Sequence, residues 1–219
     1  MGRLIAIVAA MLMAIGTNAQ ELEYKYEVGV MAGIGSYMGD GNFALFKNLS
    51  PAASAVARYN INPRMALKAN IGWSKIKGNL DDRGSYIPER PDMPRTFDNS
   101  LVDVGCQFEA GFFGYGMGGG YKGHKRLVPY IQAGLGFTFC NKIVTMNIPI
   151  GFGVKYKLME RLNVGLDWTV RFSMSDKLDG VADPTKIDSG FLKNKDTYTW
   201  TMLYITYDIC PKYRNCNNE

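Results

Sequence analysis

The chain has 219 residues, with 25 basic and 20 acidic side chains and a formal charge of +5. That length suits one domain, and basic residues that are scattered apart from a small cluster at Lys122, Lys125 and Arg126 give no sign of nucleic-acid binding. Its 25 glycines, 13 tyrosines and 11 phenylalanines fit an all-β protein with close-packed strands and aromatic girdles.

Residues 1–19 carry Arg3, an apolar run from Leu4 to Ile15 and small residues before Gln20, the pattern of a secretory signal peptide. The run is shorter than the ~20 apolar residues of a spanning helix. The mature chain then starts near Gln20 and loses Arg3, and export argues against DNA or RNA as a partner.

Eight stretches follow in which apolar and polar residues alternate, the signature of strands with one face in an apolar phase. The first, about 25–37, sets Val28, Val30, Ala32 and Ile34 against Glu27 and glycines 29, 33 and 35. Glycines on an inner face leave room for larger neighbours. The second, about 52–60, sets Ala55, Ala57 and Tyr59 against Ser54, Arg58 and Asn60, and residues 60–64 read as a tight turn. The third, about 65–76, sets Leu67, Ile71 and Trp73 against Lys68, Asn70 and Ser74. The fourth, about 100–113, sets Val102, Val104, Cys106, Phe108 and Phe112 against Asp103, Gln107 and Glu109. The fifth, about 127–140, sets Ile131, Leu135, Phe137 and Phe139 against Gln132 and Thr138. The sixth, about 146–157, sets Ile150, Phe152 and Val154 against Lys155 and Lys157. The seventh is the clearest: Val164, Leu166, Trp168, Val170 and Phe172 oppose Asn163, Asp167, Thr169 and Arg171. The eighth, about 198–209, sets Leu203, Ile205 and Tyr207 against Tyr204, Thr206 and Asp208.

Eight strands of this length predict an all-β, eight-stranded antiparallel transmembrane β-barrel of the outer-membrane type over residues 20–210. A periplasmic tail, 211–219, follows. Outer connections at about 38–51, 77–99, 141–145 and 174–197 alternate with inner ones at 61–64, 114–126 and 158–162. The short 141–145 and the glycine-rich 114–126 fit the long-outside, short-inside rule least well.

So small a barrel is filled by its own side chains. The inward faces carry five acids (Glu27, Asp103, Glu109, Asp167, Asp208) and five bases (Arg58, Lys68, Lys155, Lys157, Arg171). Buried charges are tolerable when paired, so the balance predicts a filling of internal salt bridges. Glu109 and Asp103 lie roughly 20 Å apart along one strand, too far for a glycosidase pair. His124, the single histidine, has no evident catalytic partner and reads as solvent-facing. The glycines of 114–126 lack the Gly-Lys-Ser/Thr element and the following helix of a phosphate loop. Asp176, Asp179 and Asp183 lack EF-hand spacing and read as turn residues. Cys210 and Cys216 form a plausible local disulfide, and Cys106 reads as a small apolar residue. No catalytic residue, cofactor site or metal site is expected, and the chain is expected not to be an enzyme.

Four stretches, Glu27–Asp40, Tyr59–Lys68, Ile148–Lys157 and Arg171–Val181, resemble a family of small outer-membrane β-barrels of Bacteroidota that includes PorG of the type IX secretion system. The resemblance covers nearly all of the mature chain, although the 141–145 connection is shorter than in that family and Cys216 has no counterpart. It implies a non-enzymatic barrel in the cell outer membrane, embedded in outer-membrane lipids, that serves protein secretion through periplasmic ring proteins resembling PorK and PorN. The inner turn 114–126 and the tail are the expected contacts. A small transport or ion-conducting barrel and a soluble periplasmic ligand-binding barrel are the alternatives.

Overall fold

The computed structural model describes residues 24–38, 49–79, 96–117, 124–140, 143–174 and 197–211. Residues 1–23, most of the three long outer connections and the residues beyond 211 lie outside them.

Eight antiparallel strands close into an up-and-down barrel: β1 (Tyr24–Met38), β2 (Ser50–Asn62), β3 (Met65–Asn79), β4 (Thr96–Gly111), β5 (Leu127–Cys140), β6 (Ile143–Lys157), β7 (Leu162–Ser173) and β8 (Thr197–Pro211). Closure is made by β1 against β8, with Glu27 opposite Asp208 and Gly29 opposite Thr206. It leaves no sheet edge, as a strand structure in hydrocarbon requires. Strands of 12 to 16 residues are long enough to cross a bilayer at a tilt.

The alternation read from sequence is the alternation of burial. In β2 the pattern is buried-exposed from Ser50 through Tyr59. Buried polar side chains outnumber buried apolar ones among the described residues, while Val30, Ile71, Phe137, Val144, Phe152 and Leu203 stand exposed outside. This inversion of a soluble protein is stable only with lipid against the outer wall. Tyr26, Tyr59 and Tyr207 lie on that wall near the end that carries both strand termini, and the Tyr26 and Tyr59 rings are 5.4 Å apart. Tyrosines at this level form an interfacial girdle, and the short β2–β3 and β6–β7 turns at this end are those expected of the periplasmic side.

Glycines admit large inward side chains, as their positions predict. A Cβ on Gly153 would stand 2.5 Å from the Tyr130 ring, and one on Gly165 would stand 2.4 Å from the Tyr204 hydroxyl. The lumen is therefore filled by aromatic rings lying over bare backbone.

Several boundaries differ from the sequence reading. The β2–β3 turn is Pro63 and Arg64 alone, because Asn62 Oδ1 accepts the amides of Arg64 and Met65, both at 2.8 Å, and closes an Asx turn. Strand β4 runs from Thr96 to Gly111 instead of 100–113. Phe112 and Phe113 leave the ladder there because the chain turns across the barrel mouth, with the Gly111 amide donating to Arg64 O at 2.6 Å and the Tyr115 amide to Pro63 O at 2.8 Å. The 141–145 connection shrinks further, since Cys140 and Ile143 are direct register partners.

Candidate functional site

The lumen holds all ten charged residues that parity places inward, and each of the ten is buried. They fall into three groups along the barrel. The central group is continuous. The Arg58 guanidinium donates through Nη1 to Glu27 at 2.8 Å and through Nε to Glu109 at 3.0 Å. Lys68 Nζ stands 2.9 Å from Asp167 and 3.5 Å from Glu109, and it also donates to Gln132. Lys155 Nζ reaches Glu27 at 3.1 Å and Glu109 at 4.0 Å. Tyr130 and Gln132 each donate to Asp167 at 2.9 Å, Thr206 donates to Glu27, and Arg58 lies 4.5 Å over the Tyr204 ring.

Toward the outer end, Asp103 collects donors from four strands. Asn147 (2.6 Å), Tyr198 (2.7 Å), Thr138 (3.3 Å) and Asn70 (3.5 Å) all donate to it. Arg171 faces it as an ion pair at 3.3 Å and stacks 3.6 Å over Trp200. Its Nε lacks hydrogen-bond geometry toward that carboxylate, and Nη1 donates instead to Thr169 at 3.0 Å.

The third group closes the periplasmic end. Lys157 donates to Asp208, which also accepts from Asn163 at 2.8 Å. Tyr115, from the β4–β5 connection, reaches back into the mouth and donates its hydroxyl to Asn163 Oδ1 at 2.6 Å. Its ring sits 5.0 Å from Lys155 Nζ and 5.4 Å from Lys157 Nζ. Burial, then Glu27, Tyr204 and Asp208, push the Tyr115 phenol well above its ordinary pKa, so it remains a donor. The Tyr115–Lys125 bridge and the Lys125 amide bonded to Gly114 O at 2.8 Å hold this cap in shape. His124 is half-buried rather than solvent-facing, because its ring lies over Gly114 and Gly116, where Cβ atoms would stand 3.2 and 2.8 Å from it.

Parity found the charges but not the aromatic filling. Tyr130, Tyr198 and Trp200 share the inward parity of Gln132 and Tyr204, so the same alternation would have found them. Tyr115 lies outside any strand and has no such signal.

Among the described residues no group of three or more His, Cys, Asp or Glu side chains is placed to hold a metal. No disulfide joins Cys106, Cys140 and Cys210 to one another; Cys106 and Cys210 are exposed, Cys140 is buried, and Cys216 lies outside the described residues. Asp176, Asp179 and Asp183 also lie outside them, as does Lys122.

A profile described as a domain of unknown function, DUF6089, matches residues 2–218. The chain belongs to the DUF6089 family. No curated protein sequence matches this DUF6089 barrel. Among solved structures it is similar to Neisserial surface protein A, NspA, at 12% identity and a TM-score of 0.52, over 84% of this chain and 97% of that one. Ail, the attachment invasion locus protein of Yersinia pestis, aligns at 12% identity over 86% of this chain and all of its own, with a TM-score of 0.49. The N-terminal barrel domain of Pseudomonas aeruginosa OprF aligns at 12% identity over 84% and 97%, with a TM-score of 0.43. The NspA likeness carries the fold, and the closed sheet with its apolar exterior carries the membrane. The DUF6089 barrel is an outer-membrane β-barrel.

Proposed function

We propose that this barrel is a non-enzymatic anchoring component of the outer membrane that works at its ends rather than through its lumen, and that it serves type IX secretion by contacting periplasmic ring proteins resembling PorK and PorN. The observation that carries the first part is the lumen itself. Ten paired charges and a Tyr115 cap fill the space that a transport path or a substrate would need. What remains accessible at the periplasmic end includes Phe113, Met117, Lys125 and Arg126, with Lys125 Nζ 3.8 Å over the Phe113 ring. Phe, Met and Arg are among the residue types enriched at protein contacts. The secretion role is supported by the resemblance of the four motif stretches to the barrels that include PorG. Residues 1–19 act in this reading as a cleaved export signal, and N-terminal sequencing of the membrane-extracted protein is expected to start near Gln20.

Affinity purification of a tagged copy from native membranes, after mild solubilisation, tests membrane residence and partners together. Recovery with detergent and with periplasmic ring proteins is the expected result. Recovery of the barrel without any such partner overturns the secretion role, and release of the protein without detergent overturns the membrane role.

A further inference from the structure

The outer wall is not uniformly bulky. Along β2 the outward residues from Ala53 to Ala57 are all alanines, and all are exposed. Bulkier side chains flank these alanines in part, Val30 on β1 and Ile71 and Trp73 on β3. Ala55 lies between Val30 of β1 and Ile71 of β3, and Ala53 lies between Ala32 and Trp73. The result is a trough of about 550 Å³ lined by Val30, Ala32, Ala53, Ala55, Ile71 and Trp73 among others. Its walls are two strand spacings apart, about 10 Å between backbones, which leaves the width of one hydrocarbon chain after side chains are counted.

The position of the trough narrows its occupant. β2 descends from Ser50 at the outer end to the Pro63–Arg64 turn at the periplasmic end, so Ala53 and Ala55 lie in the outer half of the membrane. Below the alanines, the Tyr26 and Tyr59 rings meet at a tilt of 51° with centroids 5.4 Å apart. The trough's floor runs from Ala53 to Ala55, about 7 Å along the strand, enough for a segment of one acyl chain. Above it, Lys75 continues the outward column of Ile71 and Trp73, roughly 7 Å beyond the tryptophan. It is half-buried and forms no ion pair among the described residues. An apolar slot one chain wide, topped by the Lys75 ammonium at headgroup height, has the charge and shape of a phosphorylated lipid.

We infer that the β1–β2–β3 trough is a binding site for one acyl chain of a phosphorylated outer-leaflet lipid, of the lipid A class, whose phosphate pairs with Lys75. The chain fills a gap that would otherwise leave Ala53 and Ala55 without packing partners, and dispersion contacts reward that filling even where lipid surrounds the barrel. The Lys75 amine then sets the choice of headgroup, because a charge-assisted hydrogen bond at the membrane surface discriminates phosphate from a neutral sugar.

The test uses the full mature chain in detergent, titrated with lipid A and with its dephosphorylated form and read by native mass spectrometry. The wild type is expected to retain one lipid A per barrel and to bind the dephosphorylated form about tenfold more weakly. Lys75→Gln is expected to remove that preference while still retaining lipid. Ala55→Phe fills the trough from the lipid side and is expected to abolish retention. The heat-dependent shift in gel mobility of a folded barrel reports that each variant is folded, and Ala53→Val, a smaller filling of the same floor, is the second variant should Ala55→Phe fail to fold. Equal retention by wild type and the trough-filled variant overturns the site. So does wild-type binding indifferent to phosphate, or a trough variant that changes only the oligomeric state, which would assign the trough to a second copy of the chain.

Discussion

Asp103 shows what a buried charge needs in this lumen. Four hydrogen-bond donors and the Arg171 guanidinium satisfy one carboxylate, so its desolvation is offset by geometry rather than by a single ion pair. Asp103→Asn keeps the shape but leaves Arg171 charged and unmatched against Trp200. We expect it to lower unfolding free energy by about 3–5 kcal/mol, measured by urea titration in detergent micelles. The Lys157–Asp208 pair gives the complementary case. Lys157→Met strands Asp208, and Asp208→Asn strands Lys157, whereas the double variant strands neither and keeps the acceptor for Asn163. Its destabilisation is expected to be smaller than the sum of the two single effects by about 0.5–3 kcal/mol in the same titration. The ten charged positions were legible in the sequence because side-chain direction in a strand has a period of two. Their partners were not. Arg58 meets Glu109 from two strands away, and Lys68 meets Asp167 across the lumen, so the pairings depend on register and strand tilt, which the residues do not state locally.

At the scale of elements, strands were legible and their ends less so. β5 matches its sequence reading residue for residue, because Leu127–Cys140 alternates throughout and nothing at either end competes with the ladder. β4 does not, because Phe112 continues the apolar parity while the backbone leaves the sheet to cap the mouth. Local pattern was overridden there by a long-range contact. The cap itself rests on Tyr115, which is held by one hydroxyl bond and by packing over two lysines. Tyr115→Phe removes only the bond to Asn163 and is expected to cost about 1 kcal/mol. Tyr115→Ala also empties the mouth and is expected to cost about 3–5 kcal/mol. Urea titration gives both values, and near-equal losses would show that the ring contributes little to closing the barrel.

At the scale of the whole molecule, the barrel is turned inside out, with an apolar exterior matched to lipid and a polar interior that is not open to water. An eight-stranded barrel has just the diameter that its own side chains can fill. Here the filling is neutral in sum, and Glu27, Arg58, Glu109 and Lys155 interlock near its centre. An ion entering this region would have to displace a paired side chain, which carries a penalty of several kcal/mol for each stranded charge. We therefore expect the purified protein to give no steady conductance in planar bilayers. Replacing those four residues together with serine leaves the net charge unchanged, since two acids and two bases are lost, but removes four long charged side chains from the centre of the lumen. If the fold survives, as the mobility shift on heating would report, that variant is expected to conduct because four serine hydroxyls then leave room for water where the interlocked charges stood. Steady openings in the wild type would mean that the network rearranges to make a path, and the barrel would then be a channel gated by its own salt bridges rather than an anchor.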